Sequence, residues 1–202
     1  MELQLQDVGK RFNRQWLFRN ISFHIPSGSA CAITGPNGSG KSTLLQIIYQ
    51  YVVPTAGSVK AKINDLEITP EELVARSAFV SPYLELPEEL TLMELLKFHF
   101  SMRQGTESDW NAIVSDCGLA GSENKIIRYF SSGMKQRLKL ALAFNHAGNL
   151  ILLDEPCTNL DQQGVNWYLK MIERVRNRQT ILVASNQEVE YGFCNQQIQV
   201  IA

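Results

Sequence analysis

The chain has few cysteines, almost no net charge and no long apolar run, and each shortage excludes a class of protein. Its four cysteines show no CxxC spacing, so neither a zinc site nor a disulfide framework is predicted. A net charge of −1 argues against nucleic-acid binding, which usually needs a strongly basic surface. No stretch approaches the ~18 to 20 apolar residues that span a bilayer, and the N-terminus lacks a secretory signal pattern. We therefore expect a cytoplasmic protein that reaches any membrane through a partner.

The composition and the apolar patterns of the chain favour one α/β domain over 1–202. The chain is 45% hydrophobic over 202 residues, which is enough to bury a full core. Alternating patterns at 2–8 and 21–25 predict antiparallel strands, while continuous apolar runs at 150–153 and 180–184 predict parallel strands covered on both faces. A helical pattern over about 83–130 predicts an insert. The spacing of Thr69 with Glu72 and of Thr91 with Glu94 predicts a capping box at the start of two helices. A further amphipathic helix is predicted from Lys135 to about Phe144, after a cap at Ser131 or Ser132. The predicted fold class is a mostly parallel sheet with an N-terminal antiparallel β-subdomain and a helical insert.

A glycine-rich loop follows the predicted buried strand at 29–33 and precedes a predicted helix. It matches GxxxxGK[ST], whose backbone N–H groups surround nucleotide phosphates, as in P-loop NTPases. Lys41 is predicted to bind the β- and γ-phosphates, and Ser42 to bind Mg²⁺. The alternative is an ordinary turn between a strand and a helix. The predicted ATP-binding residues of the loop are Gly35, Pro36, Asn37, Gly38, Ser39, Gly40, Lys41, Ser42 and Thr43.

Two carboxylates follow the apolar run at 150–153. Asp154 and Glu155 come at the carboxyl end of this predicted strand, the edge where open α/β sheets bind ligands. Asp154 is predicted to hold Mg²⁺, and Glu155 to act as general base on the attacking water. A polar strand end without chemistry is the alternative, but the phosphate loop favours the functional interpretation.

Two further motifs make the resemblance specific. The segment 130–137, FSSGMKQR, looks like the LSGGQ-type signature of ATP-binding cassette (ABC) ATPases, and 158–161, TNLD, matches the D-loop of that family. The order and spacing of these motifs agree with the family from Glu2 to Val183. The chain is therefore identified by resemblance as an ABC ATPase.

The resemblance implies a head-to-tail dimer that holds two ATP molecules. Each ATP lies between the phosphate loop of one subunit and the signature of the other, so Ser131 and Gly133 would face the partner's γ-phosphate. A helix N-terminus suits this position because its free N–H groups attract anions. The alternative for Ser131 is a serine that only caps a structural helix. Phe12 occupies the family position for adenine stacking, although Trp16 is a nearby substitute and either ring could instead belong to the core or lie on a strand face.

The chain departs from the family pattern at two positions. Pro82 aligns with a glutamine that usually contacts Mg²⁺ and the attacking water, and proline has no polar side chain. Asn186 replaces the switch histidine, and asparagine can donate to the γ-phosphate but carries no positive charge. We therefore expect ATP binding with slow hydrolysis, in which Lys41, Glu155 and Asn186 are the catalytic candidates.

The resemblance implies the ATPase subunit of a transporter, peripheral on the inner face of the cell membrane. Its partners would be a second cassette, as a homodimer or a paired cassette, and a polytopic membrane subunit. Phe98, Phe100 and Met102 are candidates for docking that subunit, or equally for the core of the insert. The short chain resembles haem-exporter ATPases of cytochrome c maturation and small gliding- or drug-export cassettes. The alternative function is a non-transport switch that signals through ATP-dependent dimerisation.

Overall fold

A computed structural model describes residues 1–102 and 109–201. The chain forms two compact units, and each is built from more than one stretch of sequence. The first contains Met1–Phe79, Gly148–Glu155 and Val175–Ala202, and the second contains Val80–Ala147 and Pro156–Arg174. Over the described residues, no helix has the length and apolar content to cross a bilayer. The assignment of 1–202 to one domain with an insert over about 83–130 stays a prediction.

The N-terminal strands of the first unit form an antiparallel sheet. Its strands are β1 (Glu2–Phe12), β2 (Gln15–Ile25), β4 (Ala56–Ile63) and β5 (Leu66–Glu67), in the order β2-β1-β4-β5. β1 pairs antiparallel with both β2 and β4. Asn13, at the turn between β1 and β2, has a φ of 53°, which asparagine tolerates better than most residues. The predicted antiparallel subdomain is confirmed, and its strands are longer than the sequence pattern indicated.

A second sheet in the first unit has the order β6-β7-β8-β3-β9. Its strands are β3 (Ala30–Thr34), β6 (Ser77–Val80), β7 (Leu150–Asp154), β8 (Thr180–Ala184) and β9 (Gln196–Gln199). β7 pairs parallel with β8, and β3 pairs parallel with β8 and β9. Every residue of β7 and β8 is buried, which explains their unbroken apolar sequences. The predicted mostly parallel sheet is confirmed.

Three helices accompany these sheets: α1 (Lys41–Ile48), α2 (Pro70–Ala75) and α7 (Glu188–Tyr191). Thr69 and Glu72 form a capping box at the start of α2, as their spacing predicted. Leucine and isoleucine side chains of α1 pack with residues of β1, β3, β7 and β8 in one hydrophobic cluster. This shared core holds the start of α1 against the carboxyl ends of the parallel strands.

The second unit is helical and has its own core. It contains α3 (Leu92–Ser101), α4 (Trp110–Asp116), a 3-10 turn (Ile127–Tyr129), α5 (Ser132–Phe144) and most of α6 (Gln162–Val175). Thr91 and Glu94 form the predicted capping box of α3. α5 begins at Ser132 because Ser131 is its N-cap, so the predicted start at Lys135 was one turn too late. Buried residues of α3, α4 and α5 form a cluster that includes Phe100.

Burial makes two of the cysteines poor nucleophiles. It raises the pKa of Cys31 to about 12 and that of Cys117 to about 11. A thiol with a pKa near 12 is roughly one part in ten thousand thiolate at pH 8, and the thiolate is the reactive form. We expect Cys31 and Cys117 to resist iodoacetamide at pH 8 in the native protein and to react within minutes in denaturant. Rapid native labelling of either residue, located by peptide mass spectrometry, would contradict the burial described above.

Candidate functional site

The phosphate loop connects β3 to α1, and two of its buried polar side chains are Lys41 and Ser39. Lys41 is buried, and its Nζ donates to the carbonyl oxygens of Gly35 at 2.9 Å and Pro36 at 3.1 Å. Ser39 is only 3% exposed, and its hydroxyl has no hydrogen-bond partner among the described residues. A buried hydroxyl without a partner costs free energy, so a ligand in the loop would relieve that cost. The free N–H groups at the start of α1 make that ligand an anion.

One hydrogen bond connects the phosphate loop to the end of β7. The Ser42 hydroxyl donates to Oδ1 of Asp154 at 2.9 Å. Strand register explains the approach, since Ile33 and Asp154 both pair with Ala184 and therefore lie in one row across the sheet. A serine hydroxyl and a carboxylate are hard oxygen ligands of the kind that Mg²⁺ prefers. The pair therefore fits Mg²⁺ bound beside the phosphates.

Glu155 adopts a backbone conformation that is unusual for its type. Its φ is 45°, and its N–H donates to the carbonyl oxygen of Ala184 at 2.9 Å. Non-glycine residues with positive φ cluster at functional sites, where the surrounding structure holds the strain. The turn leaves the side chain of Glu155 exposed, directly after buried Asp154.

Asn186 contacts the phosphate loop in the same unit. Its Nδ2 donates to Oδ1 of Asn37 at 2.6 Å. These two residues are 149 positions apart in sequence, so only the packing of the strands brings them together. The sequence predicted a donor to phosphate at Asn186, and the structure shows that this donor lies beside the loop.

Two contacts of the loop were missed by sequence reasoning. A Cβ at Gly35 would lie 2.3 Å from the carbonyl oxygen of Val200, so the segment after β9 closes on the loop and only glycine fits there. Leu17 and Phe18 of β2 pack against Gly40 in the same way. Nothing in the glycine pattern indicated which distant segments would approach so closely.

The adenine-stacking candidates lie at the β1–β2 hairpin. Phe12 is 54% exposed, and the Lys10 ammonium lies 5.1 Å from the centre of its ring. Trp16 is also exposed, and the Arg11 guanidinium lies 5.6 Å from its ring. Neither ring belongs to the buried core, so the core alternative is wrong for both. Adenine stacking by Phe12 stays a prediction.

The second unit brings the FSSGMKQR and TNLD segments together. Ser131 caps α5 by accepting a hydrogen bond from the N–H of Met134 at 3.2 Å. A Cβ at Gly133 would lie 2.9 Å from the carbonyl oxygen of Asn159, so the two segments touch where glycine leaves room. An open cavity of about 500 Å³ lies between them. Residues lining this cavity include Ser131, Gly133, Arg137, Asn159 and Asp161.

An ion pair between two of these lining residues, Arg137 and Asp161, connects α5 to the turn before α6. Arg137 and Asp161 are 2.7 Å apart between Nη2 and Oδ1. Hydrogen bonds from the Gly164 N–H and from Arg137 lower the pKa of Asp161, so its carboxylate stays ionised at neutral pH. The pair therefore holds the start of α6 against the side of α5.

Comparisons with known proteins agree with this geometry. Residues 18–158 match the protein family described as ABC transporter. The chain belongs to the ABC transporter family. It is an ATP-binding ATPase of that family, similar to the lantibiotic transport ATP-binding protein SrtF of Streptococcus pyogenes, with 29% identity over 94% of this chain and 82% of the relative. The cytochrome c biogenesis ATP-binding export protein CcmA of Mannheimia succiniciproducens is 32% identical over 86% of this chain and 82% of its own length.

A solved structure shares the fold of this ABC cassette. The dimeric post-hydrolysis structure of the ATP-binding cassette MJ0796, bound to ADP and Pi, matches with a TM-score of 0.83 and 23% identity. The match covers 98% of this chain and 94% of that one. The fold class predicted from the sequence is confirmed by this likeness.

The contact at Gly133 gives a prediction about the ABC signature segment. Gly133→Ala would gain ~1 kcal/mol of helix propensity, but its new methyl group would collide with the Asn159 carbonyl, and such overpacking costs ~1 to 3 kcal/mol. We expect a lower melting temperature by circular dichroism for Gly133→Ala. Ser132→Ala, at the exposed neighbouring position, is the control and should melt close to the wild type. A stabilised Gly133→Ala variant would show that the two segments do not touch.

Proposed function

We propose that this chain binds ATP and Mg²⁺ as a dimer, hydrolyses the ATP slowly and drives a separate membrane subunit of a transporter. The observation that carries the proposal is the 2.9 Å hydrogen bond from Ser42 to Asp154 at the start of α1. This bond joins the hydroxyl and the carboxylate that the sequence assigns to Mg²⁺, and it lies beside the unpartnered hydroxyl of Ser39.

Within the ATP site, Lys41 exchanges its partners when nucleotide binds. Its ammonium is held by two loop carbonyls, which are weaker partners than phosphate oxygens, because charge-assisted hydrogen bonds are stronger. Ser39 and the loop N–H groups complete the phosphate site. Ser42 and Asp154 would hold Mg²⁺, which would supply neutralisation of the phosphate charge when bound.

Hydrolysis in this proposal depends on Glu155 and Asn186. Glu155 is exposed directly after Asp154, so its carboxylate is available to accept a proton from the attacking water. Asn186 Nδ2 releases Asn37 and donates to the γ-phosphate. Neither Pro82 nor Asn186 offers the side-chain chemistry of the glutamine and histidine they replace, and this loss makes hydrolysis slow.

In the proposed dimer, the N-terminus of α5 in the second unit contributes to the ATP site of the partner copy. Ser131 and Gly133 lie at the N-terminus of α5, where a helix attracts anions, and they line an open cavity. In the proposed dimer, this end of α5 approaches the γ-phosphate bound by the partner copy. The dimeric cassette bound to ADP and Pi, which shares the fold, supports this arrangement.

A membrane partner follows from the named functions of the relatives. SrtF is named for lantibiotic transport and CcmA for export in cytochrome c biogenesis. Phe98 is 54% exposed and Met102 is 72% exposed on the second unit, so both are available to a partner at the inner face of the membrane. Phe100 is buried in the core of the unit, so of its two predicted roles the core alternative is confirmed and the docking alternative is wrong.

A dimerisation switch without transport is the second candidate, and Pro82 and Asn186 favour it because slow turnover prolongs the closed dimer. Purification from the native membrane distinguishes the two. Recovery of a polytopic membrane protein with the chain supports transport. ATP-dependent dimers that retain no such protein support the switch.

Nucleotide binding is tested at Lys41. We expect Lys41→Met to weaken binding of a fluorescent ATP analogue by at least about tenfold, because charge-assisted hydrogen bonds contribute ~1.5 to 3 kcal/mol. Lys170→Met, which changes an exposed lysine of α6, is the matched control and should bind like the wild type. Equal affinity in all three proteins would rule out the proposed phosphate site.

Slow hydrolysis is tested by turnover. We expect a wild-type rate below ~10 s⁻¹, an ordinary value for enzymes. Asn186→His restores the missing histidine and should raise the rate by roughly tenfold or more at unchanged ATP affinity. A wild-type rate at or above ~10 s⁻¹, or no gain in Asn186→His, would count against the assigned role of Asn186.

A further inference from the structure

Three polar side chains on one side of α5 hold other segments of the second unit. Lys139 is four positions after Lys135 and three positions after Gln136. All three side chains therefore project from neighbouring turns of α5. Lys135 pairs with Glu88 at 2.5 Å, and Nε2 of Gln136 donates to the carbonyl oxygen of Pro156 at 2.7 Å. α5 is therefore tied to segments that are distant in sequence.

Lys139 binds the backbone of a segment that is distant in sequence. Its ammonium donates to the carbonyl oxygens of Ser81 at 3.2 Å and Pro82 at 3.3 Å. The Ser81 carbonyl also accepts from the N–H of Leu84 at 3.2 Å, so this turn is held from two directions. Burial, followed by the nearby charge of Lys135, lowers the pKa of Lys139. A partly buried ammonium is stabilised by such carbonyl partners.

Pro82 can form hydrogen bonds only through its carbonyl oxygen. Proline has no N–H and no polar side chain, so its carbonyl oxygen is its whole capacity for hydrogen bonding. Lys139 binds that oxygen. Lys139 thereby fixes the position of the Pro82 backbone relative to α5.

The anchored segments lie where the chain passes from the first unit to the second. The passage occurs after Phe79 and again after Glu155. Lys139 holds Ser81 and Pro82, which follow the first passage, and Gln136 holds Pro156, the residue directly after Glu155. α5 thus binds both segments, and Ser131 caps the N-terminus of this helix.

We propose that Lys139 is a positioning residue for ATP hydrolysis, which fastens the backbone of Ser81 and Pro82 to α5, the helix that Ser131 caps. The inference rests on the proposed function, because it assigns a step of the ATP reaction to the position of this helix. Lys139 does this through the carbonyl oxygens of Ser81 and Pro82, to which its ammonium donates. Gln136 holds the segment next to Glu155 in the same way.

The test compares four full-length proteins in steady-state ATP hydrolysis and in binding of a fluorescent ATP analogue. Lys139→Met removes the donor and keeps the length of the side chain, Lys139→Arg keeps charge and donors, and Lys170→Met is the exposed control. We expect Lys139→Met to lower kcat by roughly ten- to a hundredfold, as misplacement of reacting groups does. KM and analogue affinity should change by less than about twofold, since the phosphate loop is untouched.

The control variants separate positioning from a merely structural role. Lys139→Arg should restore kcat to within about threefold of the wild type, and Lys170→Met should match the wild type. A Lys139→Met protein with wild-type kcat overturns the inference. So does one whose kcat and analogue affinity fall together, because that pattern indicates general disruption. If Lys139→Met does not fold, Lys139→Gln, which keeps a shorter neutral donor, should give an intermediate kcat, and wild-type kcat there is equally decisive.

Failure of the proposed function gives a different result. If the wild-type chain neither binds the analogue nor hydrolyses ATP, the proposed function is wrong, and the inference falls with it. If the wild type binds and hydrolyses ATP while Lys139→Met does the same, only the role of Lys139 is wrong.

Discussion

The hydrogen bond between Ser42 and Asp154 depends on the strand register more than any other contact of the site. The two residues are 112 positions apart, and they meet because β3 and β7 both pair in parallel with β8. A register shift of one residue would turn Asp154 to the opposite face of the sheet. The complete burial of β7 and β8 prevents such a shift, because it would disturb a core packed on both faces.

The phosphate loop of the first unit, which is the proposed nucleotide site, is packed closely against other segments of that unit. The loop around Lys41 is bounded by Val200 on one side and by Leu17 and Phe18 on another, so its backbone is restrained before any ligand arrives. Preorganisation of this kind lowers the free-energy cost of binding, since the loop loses little freedom when phosphate enters. The strained backbone of Glu155 is held by the same sheet through its bond to Ala184.

In the second unit, polar side chains of α5 bind several segments that are distant in sequence. Gln136 is buried and bonded to a carbonyl, and buried polar groups with satisfied partners favour one arrangement over its alternatives. Arg137 adds the bond to Asp161 that orders the turn before α6. Lys139 adds bonds to the carbonyl oxygens of Ser81 and Pro82, which hold that backbone segment against α5.

Much of the fold and part of the site could be predicted from the sequence, because they depend on local patterns. The phosphate loop, the capping boxes at Thr69 and Thr91 and the apolar runs of β7 and β8 each specify their own structure within a few residues. The contacts of Asn186 with Asn37, of Lys139 with Pro82 and of Val200 with Gly35 could not be predicted in this way. They join positions that no local pattern relates, and only the pairing of strands and the packing of helices brings them within reach.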